Sequence, residues 1–180
     1  MTAISNAGPL IWLAKYNRLH FLRNLYQKIE MPEAVYREAV AVGLEKGYRD
    51  AQTIQNAIKE GWIKVRKVKA VDPVRKVEEK LRVELGEGER ETIALTLETE
   101  VKTFLTNDEN AYIIGKNLNL KPRGILYVLL RKVKEKSISK KEAEELIKRM
   151  LQDGFWLTPT IIQKFYEALE KLGSKSLREK

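Results

Sequence analysis

Val101-Lys102-Thr103-Phe104-Leu105-Thr106-Asn107-Asp108 decides how the rest of the chain is read. Its first six residues form the most convincing strand in the sequence, and the spacing after it predicts a short helix from Asp108 to Asn117. An acid directly after a strand and before a helix has two uses. It caps the helix, which is the commoner role, or it serves as a ligand at the carboxyl edge of a parallel sheet, where open α/β folds bind. Asn107 is able to cap in its place and leave Asp108 free.

Working outward, short apolar runs alternate with helical patterns, as in βαβ units. Ala3-Ile4-Ser5 reads as a first strand, followed by a helix with Pro9 in its first turn and another over about Leu19 to Tyr26. Lys28 to Met31 reads as a second strand. A helix from Pro32 to about Val42, a turn at Gly43 to Gly47 and a helix from Arg49 to Glu60 lead to a third strand, Trp62 to Val65. Asp72-Pro73 opens a polar helix expected to reach about Leu85. Gly86-Glu87-Gly88 reads as a turn and Glu89 to Leu97 as the next helix. Leu118-Asn119-Leu120 is expected as a small edge strand, and no strand signal follows Gly124.

The tail is helical. Ile125, Leu126, Val128, Leu129, Leu130 and Val133 are apolar on most sides of a helix, hence expected to be buried. Ser139 with Glu142 forms a capping box ahead of the stripe Ala143, Leu146, Ile147, Met150 and Leu151. Thr158-Pro159 opens a last helix with its own stripe. The expected layout is an α/β domain over residues 1–123, a helical extension over 124–173 packed on it or on a second subunit, and a frayed end over 174–180.

Composition removes several chemistries. The chain has no cysteine, so disulfides, thiolate zinc sites and cysteine nucleophiles are excluded together. Its one histidine, His20, reads as a helix-surface residue rather than a catalytic one, which leaves carboxylate, amide, hydroxyl and cation. No apolar run approaches a membrane span and the start lacks a secretory signal, so the expectation is a cytoplasmic protein. A net charge of +9 favours a polyanionic partner such as nucleic acid. Charged residues at 33%, dominated by Lys and Glu, also fit a protein from a hot environment. The basic stretches Lys64 to Lys76 and Arg131 to Lys136 read as solvated faces, and Trp12, Trp62 and Trp156 as core or interface.

Asn6, Glu38, Glu89 and Asp108 are the candidate site. Asn6 ends the first strand, where its ordinary role is a turn or cap residue. Glu38 lies beside the apolar stripe of Ala34, Val35 and Val42, as a boundary glutamate paired with a cation or as a ligand; pattern alone weighs the two equally. Glu89 lines up with Ile93 and Leu97 at a helix start, an advantage that Glu87 and Glu91 share. Clustered carboxylates repel one another, and a cluster that persists usually holds a divalent cation. The glycine turn before Glu89 is not a phosphate loop, because it lacks the lysine and carries glutamates.

Four segments together carry a resemblance: Ser5-Asn6-Ala7-Gly8-Pro9-Leu10-Ile11, Met31-Pro32-Glu33-Ala34-Val35-Tyr36-Arg37-Glu38, Gly86-Glu87-Gly88-Glu89-Arg90-Glu91-Thr92-Ile93-Ala94-Leu95, and Leu105-Thr106-Asn107-Asp108. Their order and spacing resemble the PIN-domain family, in its VapC-like branch of small archaeal and bacterial proteins. The resemblance implies a three-layer fold with a central parallel sheet flanked by helices. It implies a ribonuclease that binds Mg²⁺ or Mn²⁺ and cuts RNA by activating water, with Asn6, Glu38, Glu89 and Asp108 as the site. It also implies a small antitoxin partner and a homodimer. Asn6 departs from the usual aspartate, and its amide brings an oxygen but no charge. On the same fold, a non-catalytic RNA- or protein-binding module is the alternative. A DNA-binding regulator is weaker, since the C-terminal helices spend their apolar stripes on packing.

Overall fold

Five short segments form strands; four carry β-branched or aromatic side chains that fit a doubly covered sheet, and the fifth, Lys121-Pro122-Arg123, lies at the edge. They are β1 (Thr2–Ser5), β2 (Lys28–Pro32), β3 (Ile63–Arg66), β4 (Thr103–Leu105) and β5 (Lys121–Arg123). In the computed structural model, which describes residues 1–174, all pairings are parallel and the order is β3-β2-β1-β4-β5. The expected end at 174–180 lies, from residue 175 on, outside the described residues.

The connections fix both faces. α1 (Ala7–Lys15) and α2 (His20–Tyr26) join β1 to β2, and α3 (Glu33–Tyr36), α4 (Val42–Glu45) and α5 (Arg49–Lys59) join β2 to β3. Between α3 and α4 the helix runs on through a π-turn, Arg37–Ala41. The chain then crosses the sheet through α6 (Asp72–Leu81) and α7 (Glu87–Glu98) to β4, and α8 (Glu109–Asn117) leads to β5. Because parallel crossovers are right-handed, reversing the direction of winding at β1 puts the second group of helices on the opposite face. Ile4 and Phe104 of the sheet meet Ile93 and Leu95 of α7, Val74 of α6 and Ile114 of α8 in one core. The expected α/β fold with a central parallel sheet is what the chain forms.

The reversal lies between the adjacent strands β1 and β4, and at such a switch point the loops leaving the carboxyl ends of two neighbouring strands part and open a crevice. Asn6 leaves β1 there, its N–H bonded to Leu105 O at 2.9 Å, and Asn107 and Asp108 leave β4.

Several boundaries differ from the sequence reading. Leu118-Asn119-Leu120 is not a strand: Asn119 takes a left-handed φ of 56°, and Leu120 N–H bonds Gly115 O at 2.9 Å, closing α8. The edge strand forms one step later, where Pro122 is tolerated because an edge needs no second ladder. α6 stops at Leu81, since Arg82 adopts φ 53° and turns the chain. Gly43 lies inside α4, its missing side chain admitting Ala51 of α5, so the turn begins only after it. α7 starts at Glu87 with Gly86 as its cap, ahead of the expected Glu89.

The chain divides into two compact units, Met1–Ile125 and Leu126–Lys180. α9 (Ile125–Lys134) opens at the division, and α10 (Lys140–Gln152) and α11 (Pro159–Ser174) follow. Ser139 Oγ accepts from Glu142 N–H at 3.1 Å, so the expected cap is made. Within α9, Lys132 is buried with its ammonium on Glu135 at 3.1 Å, an inward cation where a solvated one was expected. Trp62 is buried as expected, whereas Trp156 stands exposed.

Candidate functional site

The crevice is assembled by α7, whose first turn places Gly86-Glu87-Gly88-Glu89-Arg90-Glu91 against the ends of β1 and β2, and each residue of this stretch has its own partner. Glu89 Oε1 accepts from Asn6 Nδ2 at 2.8 Å. Gly88 leaves a hollow: a Cβ there would lie 3.2 Å from Asn6 Oδ1, 3.2 Å from Glu38 Oε2 and 3.5 Å from Val35 Cγ2. Both oxygens therefore crowd one point that any larger residue would fill. Glu87 pairs with Arg37 at 2.9 Å on an exposed surface, and Glu91 Oε2 accepts from Ala34 N–H at 3.0 Å.

Arg90 faces away from the crevice. Its guanidinium grips Glu78 through two bonds of 2.7 and 2.8 Å and also donates to Leu85 O at 2.8 Å, while Glu78 accepts from Leu85 N–H at 2.8 Å. The Arg90 hydrogen bonds hold the Glu78 carboxyl below the usual range, and Glu78 raises Arg90 in return. This buried pair ties α6, the segment before Gly86 and the start of α7 into one piece, so the site carboxylates do not ride on a free loop.

Asn6 is buried, and its Oδ1 has no hydrogen-bond donor. A carboxylate cannot donate, so Nδ2 must face Glu89 and Oδ1 must face the hollow at Gly88. Glu38 is an exposed residue overall, yet loss of hydration at its carboxyl, and then the negative charge of Glu89, push its pKa above the usual value. An orphan amide oxygen and two mutually repelling carboxylates form an all-oxygen donor set of excess negative potential. That set suits a hard divalent cation and offers nothing to an anion.

Asn6, Glu38 and Glu89 thus come together, and Asp108 has a bond of its own. Its Oδ1 accepts from Ala111 N–H at 2.7 Å, so it caps α8, the commoner of its two roles. Among the described residues, no three His, Cys, Asp or Glu side chains are grouped so as to hold a metal. Asn107, an alternative cap that could also exchange roles with Asp108, uses its Oδ1 to accept from Ile125 N–H at 3.0 Å. Its Nδ2 is buried without a partner, 3.4 Å from where a Cβ on Gly8 would stand. Sequence pattern missed the roles of Gly88, Glu91 and the Glu78–Arg90 pair; the one visible signal was glycine at a helix start where helix formers are favoured.

The chain is thus an open parallel α/β protein with side-chain oxygens of Asn6, Glu38 and Glu89 gathered beside its switch point. A family model described as PIN domain matches residues 2–171, and the chain belongs to that family. PIN domains are generally nucleases and typically use divalent metals, and the oxygen set at Gly88 is of the kind such an ion takes. No curated protein matches the chain. No helix among the described residues is long and apolar enough to cross a membrane.

Proposed function

We propose that the chain is a Mg²⁺- or Mn²⁺-dependent endoribonuclease whose site is built on Asn6, Glu38 and Glu89, with Asp108 contributing through the oxygen its cap leaves over. The observation that carries this is the orphan Asn6 Oδ1: a buried acceptor without a donor costs free energy, and a divalent cation held by Asn6 with the nearby carboxylates would remove that cost. A bound cation supplies Lewis acidity, which makes water a better nucleophile and offsets charge on the scissile phosphate. The chain's own residues set the geometry. Asn6 Nδ2 fixes the rotamer of Glu89, Gly88 leaves the volume, and the surplus of cationic side chains draws in the RNA backbone.

A toxin-like role, with a small antitoxin and a second copy of the chain as partners, extends the proposal and rests on family membership. So does the VapC-like assignment within that family, while the proposed cytoplasmic setting and hot environment rest on the sequence's lack of long apolar runs and its 33% of charged residues. A second reading, a non-catalytic RNA- or protein-binding module, is favoured by one observation: among the described residues no three His, Cys, Asp or Glu side chains are grouped to hold a metal, and Asp108 caps its helix. Incubation of single-stranded RNA with Mn²⁺, beside Glu89→Gln, separates the two. Cleavage lost in the variant supports the enzyme; RNA binding that weakens with salt but leads to no cleavage supports the module.

A further inference from the structure

α3 and α7 meet in a register set by three contacts. Ala34 at the start of α3 touches Glu91 further along α7, whereas Arg37 and Glu38 one turn on touch Glu87 and the space at Gly88. The two helices therefore run past one another in opposite senses along this face. Glu38 follows Ala34 at the helical spacing that puts both on one side, and Gly88 and Glu91 are likewise on one side of α7.

The contacts are unequal. The Arg37–Glu87 pair is exposed on both sides, with 53% and 68% of the side chains accessible, and such a pair holds little. Glu91 instead satisfies an obligatory donor. α3 begins directly after β2 with Pro32 as its N-cap, and Pro32 offers no side-chain acceptor for the first N–H groups. The carboxylate comes from another helix, in a partly buried setting, and it lands where the helix macrodipole also favours negative charge. Beyond this point the helix widens into the π-turn Arg37–Ala41, which contains Glu38.

We infer that Glu91 is a positioning residue of the crevice: by capping α3 from α7 it sets the rotation at which Glu38 enters the π-turn and turns its carboxylate toward Asn6 Oδ1 and Gly88. The inference rests on the proposed site, but concerns the metal-free protein first. Because the bond needs only an acceptor oxygen, Glu91→Gln keeps it and Glu91→Ala removes it. Two readouts at fixed pH follow the consequence: hydrogen exchange of the Ala34 amide, and the side-chain resonances of Glu38 (carboxyl carbon) and Asn6 (amide).

In metal-free Glu91→Ala, Ala34 exchange is expected to speed up by about tenfold or more, with both site resonances displaced. In Glu91→Gln all three are expected to stay near the parent values. Arg37→Ala, which removes only the exposed pair, is expected to leave the Asn6 amide unmoved. Faster Ala34 exchange in Glu91→Ala with unchanged Glu38 and Asn6 signals would overturn the inference, leaving Glu91 as a local cap. Displaced signals in Glu91→Gln equal to those in Glu91→Ala would also overturn it, because charge rather than the bond would then set the site. Mn²⁺ titration of the same proteins separates the levels. If the parent binds no Mn²⁺, the nuclease proposal fails while the metal-free arms still decide Glu91; if it binds, Glu91→Ala is expected to lose affinity and Glu91→Gln to retain most of it.

Discussion

Asn6 Nδ2 donates to Glu89 Oε1 at 2.8 Å, an amide answering a carboxylate where two carboxylates would repel. The bond explains how a site with Glu38 close by stays folded without a cation: the one neutral member takes up one charge. It also gives the departure from aspartate at position 6 a physical content, since the amide donates to Glu89 where an aspartate would add a repelling charge.

Asn6→Asp is accordingly expected to lower the stability of the metal-free protein by about 1–3 kcal/mol, because the donor to Glu89 is lost and a third charge enters. The same change is expected to raise Mn²⁺ affinity, by restoring one negative charge to a hard-cation site. Urea unfolding with and without Mn²⁺ shows both effects in one experiment. Added Mn²⁺ should recover most of the loss in Asn6→Asp and stabilise the parent less. A variant as stable as the parent in chelator contradicts the role assigned to the Asn6–Glu89 bond.

Gly88→Ala separates site from scaffold. In a helix, alanine is favoured over glycine by about 1 kcal/mol, and Gly88 needs no left-handed backbone. The added methyl, however, would sit 3.2 Å from both Asn6 Oδ1 and Glu38 Oε2, tight enough to push them apart. The expected result is a melting temperature close to the parent's together with a marked loss of Mn²⁺ affinity by calorimetry. Parental affinity at parental stability would mean that no ion occupies the hollow.

Glu38 supplies a pH signature. Its folded-state pKa lies above the usual value of 4.5, so the native state holds the proton more tightly than the unfolded chain. The stability Glu38 contributes is then present at low pH and is lost as pH rises from 4.5 through the raised pKa. Glu38→Gln removes the charge permanently. In metal-free protein it is expected to match the parent below pH 4.5 and to exceed it near neutrality. Solvent screening at this exposed residue limits the gain to about 1 kcal/mol at most. Denaturant midpoints across that range decide it; a variant less stable than the parent at pH 7 would mean that Glu38 has a stabilising partner rather than a repelling one.

Much of the architecture was legible because it follows from periodicity. The middle of Val101–Thr106, as Thr103–Leu105, and the runs near residues 3, 29 and 63 became strands, and the order of apolar runs and helical patterns announced a parallel sheet. The boundaries that failed did so through local backbone terms with no hydrophobic signature, as where Asn119 closes a helix in a left-handed conformation and Leu120 turns inward as its last contact. Within the site, sequence placed Glu38 and Glu89 on the right elements but had no means of separating Glu87, Glu89 and Glu91, which share one helix start. Tertiary register separates them: one meets Arg37, one Asn6 and one the first turn of α3. Asp108 illustrates the same limit from the other side, since a capping acid and a ligand acid look alike until the helix they precede is seen.

Asp108 can be tested by exploiting what a cap requires. Ala111 N–H needs an acceptor, which asparagine also provides, so Asp108→Asn is expected to keep the stability of the parent within a few tenths of a kcal/mol, roughly. Asp108→Ala removes the acceptor and is expected to cost about 1 kcal/mol. The Mn²⁺ titration then reads the other half of its role. With one oxygen committed to α8, Asp108 can offer a cation only the second. Asp108→Asn is therefore expected to lose less affinity than Glu89→Gln, which strips the charge from the carboxylate that Asn6 aims into the crevice. If Asp108→Asn loses as much as Glu89→Gln while its stability is unchanged, Asp108 is a full ligand, and its carboxylate must turn from the cap toward the ion when the ion binds.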